Sequence, residues 1–493
     1  MSQYCFRGRW TSHPIAWICV SIVAGTLLGL AIPTMISLAL SGTTSYRLAF
    51  AGLIGVTLVA MAVTGRVREI WLACLTLSIP LNLLFAPLKD AVPLPHPGGA
   101  SVGLVLYLMD FPLLGLIALS VLNGQGVRGP FRLCDVDVAA ILFIAWSALS
   151  LYNSSAVLFS VFEIVRMIKL YVLCRIVASQ VTRKVDLGYV LAALMAGLVL
   201  ESVFGVLQYT VNFHIGLNEY TVGALRRVTG TVGWPNTFGA YIAAVIALLI
   251  GLVLVHTNRK LRILAGLACI VGFLPLVLTL SRGAWAALLS SIGVILVLAA
   301  QRKRLGPRGL LTLLVFLSFA GTATALFANS VVTRLAQTDI GESAIVARMR
   351  LIQVAVGMIV NHPILGIGIN TFVNVMRYYD TTGISLVFPE PVHNVFLLIA
   401  AETGLVGLAL FLVLSFFVMR LALTASRNGD PFLSALAVGI TGAVTVLLVS
   451  NLADVHLRTD VLYSLFWLLI GMLLAIKRIS TVQELRNRRG ELR

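Results

Sequence analysis

The length of its apolar runs limits this chain more than any other feature. Stretches of about 18 or more mostly apolar residues, enough to cross the hydrocarbon core of a bilayer as helices, recur along nearly all of its 493 residues. They lie at 14–33, 48–65, 70–88, 103–122, 138–153, 156–178, 187–210, 236–255, 263–280, 284–300, 309–328, 392–419, 431–450 and 459–476. One or two are short enough to be re-entrant, so the reading is twelve to fourteen spans. With 59% hydrophobic and only 11% charged residues, the chain is predicted to be an all-α polytopic integral membrane protein.

The net charge of +17 does not indicate nucleic-acid binding, because no long soluble segment carries it. Arg7/Arg9, Arg66/Arg68, Arg128/Arg132, Arg183/Lys184, Arg259/Lys260/Arg262, Arg302/Lys303/Arg304/Arg308, Arg420/Arg427 and Lys477/Arg478 fall on one side if every span crosses. The positive-inside rule makes that side cytoplasmic, with both termini there. The first apolar run lacks a small-residue cleavage site and is expected to be a retained helix. Cys5, Cys19, Cys74, Cys134, Cys174 and Cys269 show no CxxC spacing, which argues against disulfides and a cysteine metal site.

Two outward segments are substantial, about 211–235 and 329–391. Some sixty residues between spans is long for a structureless loop. Within it "ARMRLIQVAVGMIV" is too interrupted to span and reads as a helix at the surface or packed over the bundle, ended by the proline and glycines of "NHPILGIGINTF". The expected organisation is a transmembrane bundle over 1–328, a loop domain over 329–391, C-terminal spans over 392–478 and a basic tail over 479–493.

The stretch "PEPVHNVFLLIAAETGLVGLALFLVL" (389–414) sets a polar mouth on a membrane helix. Pro391 suits a first turn, which places His393 and Asn394 there. The partial positive charge of a helix N-terminus favours a neutral imidazole, as a general base requires. For a lone histidine, a hydrogen-bonding cap without chemistry is the commoner role, and the residues of this stretch alone favour it. Arg282 of "LTLSRGAWAALL" falls at an outer turn, as do Arg348 and Arg350 in the long loop and Arg226 and Arg227 in "ALRRVTGTVGWPNTFGAY". Five arginines where few are expected suit an anionic ligand such as a pyrophosphate. Pairing with Asp339, Glu342, Asp380 and Glu390 of the loop is the alternative.

Glu163, Arg166 and Lys169 interrupt another span at helical spacing. Charges at mid-bilayer cost roughly 2.5–3.5 kcal/mol each, so they must face protein or water. An internal Glu163–Arg166 pair is expected, with Arg166 or Lys169 open to extending a cationic cavity. Glu402 is expected to form a helix–helix hydrogen bond. The DxD of "CDVDV" (Asp135, Asp137) reads as a helix cap, and Asp454 and His456 of "NLADVHLRTD" as a short outer loop with too few neighbours for a metal.

In combination, "SRGAW" (281–285), the run from Arg348 to "NHPILGIGINTF", "HNVFLLIAAETGLVGL" from His393, and the glycine- and PN-containing stretch from Arg227 resemble the O-antigen ligase and polymerase superfamily of bacterial inner-membrane proteins, over about residues 226–450. The resemblance implies a GT-C-like glycosyltransferase with a periplasmic active site and a large helical periplasmic loop. It would use neither nucleotide sugar nor metal and no other cofactor. An O-antigen ligase moves a glycan from undecaprenyl pyrophosphate to the lipid A core. By resemblance His393 is the base that activates the acceptor, with inversion, and Arg282 and Arg348 hold the pyrophosphate. Arg227, Arg226, Arg166 and Lys169 are further substrate-binding candidates, and Asn394 orients the histidine or the sugar. Both substrates are lipids and can enter sideways from the membrane. The acceptor distinguishes this reading from an O-antigen polymerase or a pilin O-oligosaccharyltransferase of the same superfamily. An anion transporter is the reading outside enzymes, and it calls for inverted repeats and broken helices near mid-membrane.

Overall fold

A computed structural model describes residues 66–81, 84–85, 106–122, 133–211, 220–222, 225–255, 258–301, 306–330, 332 and 339–488. It is an all-α polytopic architecture. The main helices are α1 (Val67–Ser78), α2 (Asp110–Leu122), α3 (Asp135–Leu149), α4 (Val157–Gln180), α5 (Lys184–Val211), α6 (Pro235–Val255), α7 (Arg259–Leu278), α8 (Arg282–Gln301), α9 (Pro307–Leu326), α10 (Asp339–Asn361), α11 (Val395–Ala425), α12 (Pro431–Ser450) and α13 (Asp460–Arg488). Two small antiparallel pairs join β1 (Leu84–Phe85) to β2 (Leu106–Tyr107) and β3 (Tyr220–Val222) to β4 (Leu225–Arg227).

Among the described residues nine helices are long and apolar enough to cross a membrane. The spans expected at 14–33 and 48–65 lie outside the described residues. Those expected at 70–88 and 103–122 are shorter helices, α1 and α2. α1 ends two residues before Pro80, and the Asp110 carboxylate accepts the Tyr107 N–H at 2.8 Å where α2 begins. The span expected at 156–178 is the helix α4, but Glu163, Arg166, Lys169 and Arg175 set it apart from the nine apolar ones.

The bundle is built around α6, whose span is completely buried. It crosses α12 at backbone contact. A Cβ on Gly251 would lie 2.4 Å from the Gly439 Cα, the close approach that small residues permit between membrane helices. The basic clusters meet at one end. Arg68 pairs with Asp186 at 3.0 Å, Arg183 with Glu69 at 2.8 Å, Lys184 with Asp430, and Arg478 donates to the Val181 carbonyl at 2.6 Å. The DxD caps α3 as expected, the Cys134 N–H donating to Asp137 at 3.0 Å. Cys74, Cys134, Cys174 and Cys269 are free thiols.

The segment after residue 339 makes a second, smaller core. α10 turns Leu351, Val354, Ala355 and Met358, spaced at helical period, onto Phe372, Met376, Ile384, Val392, Leu398 and Ala401. Its attachment to the bundle is made by backbone. α11 is broken at Gly404 (φ 75°, ψ 176°), and the chain from Pro363 to Gly368 docks into the break. The Ile367 and Gly368 N–H groups donate to the Ala401 and Glu402 carbonyls, each at 3.0 Å, and Leu405 N–H donates to Pro363 O at 2.8 Å. The Trp146 indole takes the Thr403 carbonyl at 2.9 Å. Below the break, Leu405 to Ala425 gives roughly 30 Å of helix, enough to cross by itself.

A side chain at Gly404 would meet the Ile364 carbonyl oxygen at 1.9 Å in addition to the strain of its positive φ, whereas Gly383 (φ 74°) faces open space. Gly404→Ala is therefore expected to destabilise by about 2–6 kcal/mol and Gly383→Ala by about 1 kcal/mol. Thermal unfolding in detergent, with protease cleavage between residues 362 and 391 as a local readout, tests the docked break. Equal behaviour of the two variants would contradict it.

Candidate functional site

Five segments distant in sequence meet at the end of the bundle away from the basic clusters. The helix of the polar mouth starts later than expected. Asn394 is the N-cap, its Oδ1 accepting the Leu397 N–H at 3.0 Å, and His393 precedes it outside the helix. The Asn394 amide donates to the Leu452 carbonyl at 3.0 Å, and the Val395 N–H donates to Asn451 O at 3.0 Å. Both ends of Asn394 are thus committed to holding the start of α11 against the 451–459 turn. Its contacts orient backbone.

That turn brings Asp454 to His393. The Asp454 carboxylate accepts from the Asn236 amide at 2.9 Å, and Asn236 Oδ1 accepts from Arg227 Nη2 at 2.7 Å. Arg227 Nε donates to the Thr279 carbonyl at 2.7 Å. Thr279 opens the tight turn between α7 and α8, in which Leu280 adopts a left-handed φ of 51° and Arg282 starts the next helix. Arg282 is exposed, forms no hydrogen bond or ion pair among the described residues, and adjoins the same turn, because a Cβ on Gly283 would lie 3.9 Å from the Ala453 Cβ. The PN-containing stretch is fixed from below. Buried Gln208 accepts the Thr229 and Gly230 N–H groups at 3.0 Å, and Gly230 (φ 57°) has no room for a Cβ between Phe238 and Glu201.

The electrostatics converge on one imidazole. His393 stacks on Phe388 (centroids 5.9 Å apart, planes at 21°), and its buried Nδ1 has no hydrogen-bond partner. Burial pushes its pKa below the ordinary value and the Arg348 guanidinium adds to this, while Asp454 and the Pro391 carbonyl oppose it. The imidazole is therefore neutral at pH 7, the state expected from the helix-end argument, with burial as the first cause. Burial also lowers His456. For Asp454, burial alone would raise the carboxyl. In the acid range where Asp454 titrates, His456 and His393 are protonated, and with the Val455 N–H and the Asn236 amide they outweigh burial and hold the carboxyl below its ordinary value. Glu390 is raised by burial and by Asp454.

The remaining candidates are placed as follows. Arg348 and Arg350 are exposed on α10. Arg226, on β4 beside Arg227, lines an outer cavity of about 340 Å³ with Tyr209, Leu278 and Phe327. Asp380 caps its own turn, accepting from Thr382 and Ser385 at 2.8 Å. Arg166 and Lys169, considered as extensions of a cationic chamber, are engaged by carboxylates of the bundle. Arg166 pairs with Glu163 at 2.7 Å and lies 3.7 Å from Asp460, and Lys169 pairs with Asp110 at 3.1 Å. Glu402, expected in a hydrogen bond, is in an ion pair with Arg458, which also meets Glu163 at 3.0 Å. Among the described residues no group of three or more His, Cys, Asp or Glu side chains is arranged to hold a metal ion.

Sequence reasoning passed over Asp454 and Asn236. Both stood in quoted motifs, but 218 residues separate them and nothing in either motif names the other. A model of the O-antigen ligase family matches residues 267–412. Arg282, Arg348 and His393 lie inside that segment, whereas Arg227, Asn236, Asp454 and His456 come from outside it. No curated protein matches the chain.

Removing a charge that bears on His393 moves its titration in a defined direction. Arg348→Gln is expected to raise the pH midpoint of His393 and Asp454→Asn to lower it. The difference in diethyl pyrocarbonate reactivity between each variant and the same variant carrying His393→Asn measures this. Shifts in the same direction would refute the placement of the two charges.

Proposed function

We propose that this chain, which carries an O-antigen ligase domain over residues 267–412, is a bacterial inner-membrane glycosyltransferase whose site faces the periplasm. It transfers a glycan from undecaprenyl pyrophosphate to a hydroxyl of the lipid A core. The observation that carries this reading is a half-buried imidazole, kept neutral and with its Nδ1 unpartnered, beside arginines drawn from separate segments.

The acceptor oxygen attacks the anomeric carbon opposite the pyrophosphate, and His393 takes the hydroxyl proton as the new C–O bond forms. The bond from the anomeric carbon to the pyrophosphate oxygen breaks with its electron pair, which inverts the centre and leaves an extra negative charge on the leaving group. Guanidinium groups beside the leaving group stabilise that charge as it develops. Arg282 and Arg348 take this role, with Arg227 held at its post by Thr279 and Asn236, and Arg226 beside it. Asp454 stabilises the imidazolium formed in the step. No metal is assigned a part, since the arginines supply the counter-charge. Arg166 and Lys169 support the site by holding helices together.

Purified protein with a lipid-pyrophosphate glycan and lipid A core is expected to give glycan on the core. Extension of the lipid-linked chain would indicate polymerase, and transfer to pilin a protein O-oligosaccharyltransferase. His393→Ala is expected to abolish transfer without loss of folding. Arg282→Ala and Arg348→Ala should lose donor use, and Arg→Lys should restore little of it because the bidentate fork is gone. The acid limb of kcat/KM belongs to His393 and should lie below pH 6.5, activity falling as the imidazole is protonated. Full activity of His393→Ala would remove the base assignment.

A further inference from the structure

At the basic end, the start of α3 and the ends of α11 and α13 enclose an open cavity of about 440 Å³. α11 begins beside His393 and runs about 33 Å before reaching Phe417 at the edge of this cavity, so the two sites lie toward opposite ends of α11. The rim carries Arg420, Arg427 and Lys477 against Asp135 and Glu484, three cations and two carboxylates, for a net charge of +1. Arg420 and Asp135 approach to 3.5 Å, but both are more than 60% exposed (63% and 65%), and such a pair is worth little. Arg427 and Lys477 are exposed and make no ion pair among the described residues. The wall beneath is apolar, from Phe417 and Leu421, and Leu412, Val413 and Phe416 are exposed along the preceding turns of α11.

A cationic rim above an apolar wall, at the end of a membrane-spanning helix, fits an amphiphile with one negative charge. The α3 N-terminus is a poor anion ligand, because Asp135 and Asp137 lie in its first turn and the Asp137 carboxylate accepts the N–H of the N-cap residue Cys134 at 3.0 Å. The cationic side chains must therefore do the binding, and the carboxylates among them weigh against polyphosphate headgroups. We propose that this cavity binds an anionic phospholipid, its phosphodiester between Arg427 and Lys477 and its acyl chains along Phe416 and Val413. Basic side chains at a membrane surface each contribute about 1 kcal/mol to such binding, which corresponds to about fivefold in affinity.

Native mass spectrometry of the full chain in detergent, titrated with phosphatidylglycerol or phosphatidylethanolamine, tests this. The expected result is selective retention of phosphatidylglycerol, weakened about fivefold by Arg427→Gln or Lys477→Gln and about thirtyfold by both. The exposed pair Arg259→Gln/Lys260→Gln, at the same end of the bundle, should leave retention unchanged. Equal retention of the two lipids, equal loss in the control pair, or displacement of the lipid by millimolar glycerol 3-phosphate would each overturn the site. The single variants keep the test decisive if the double variant fails to fold.

Discussion

A helix cannot be opened in or near lipid unless something takes the backbone groups it gives up, and this structure rests on how that requirement is met at Gly404. The carbonyls of Ala401, Glu402 and Thr403 accept in turn from the Ile367 N–H, the Gly368 N–H and the Trp146 indole, and the Leu405 N–H donates to the Pro363 carbonyl. Every partner except Trp146 comes from the turn that ends α10. The loop domain is thereby joined to the bundle by main-chain bonds, which side-chain substitution cannot easily weaken. Gly366 (φ 68°) and Gly368 (φ 101°) are needed because each backbone lies against another, Glu402 in one case and Ser154 in the other.

From that joint outward, the site is held by paired charge. Glu402 sits at the break and reaches Arg458, which closes the turn carrying Asp454 and His456. Arg458 meets Glu163, Glu163 meets Arg166, and Arg166 approaches Asp460 at the start of α13. α4, α11 and α13 are thus tied by one chain of opposite charges, just inside the end that bears His393. A buried ion pair adds little net stability over apolar packing, but removing one partner strands the other at a cost of about 3–5 kcal/mol. Its value here is geometric. It fixes the 451–459 turn relative to α11, and through Asn394 and Asn451 it fixes where the imidazole stands.

The legible parts of this arrangement were those written locally. Apolar length announced the long helices, and the proline and polar residues at 391–394 marked the neighbourhood in which α11 starts. The break at Gly404 was hidden because a glycine within "ETGLVGL" reads as part of an apolar run, and its cause lies forty residues earlier in the hinge glycines. Lys169 looked available because its carboxylate, Asp110, lies 59 residues away, whereas the Glu163–Arg166 pair expected from helical spacing is present and only its neighbour Asp460, 294 residues on, was out of local reach. The short α1 and α2 were overread as spans because hydropathy does not register where Pro80 and Asp110 stop a helix. The Arg227–Asn236–Asp454 relay is tertiary throughout, and each of its members has an innocent local reading.

The break also bears on what kind of machine this is. Interrupted membrane helices serve secondary transporters because unwound carbonyls are left free to coordinate an ion or substrate. Here three successive carbonyls at the interruption are already hydrogen-bonded, and the carboxylate beside them is neutralised by Arg458. These carbonyls are therefore not left free to coordinate a cargo. The consequence of the break is instead to seat a second core, with Arg348 on its helix, over the start of α11 and the imidazole that precedes it. A fixed mount of this kind suits a reaction whose demand is alignment. In the proposed transfer an acceptor oxygen, an anomeric carbon and a departing diphosphate stand in line, and the protein's contribution is to hold the groups that receive the proton and the charge.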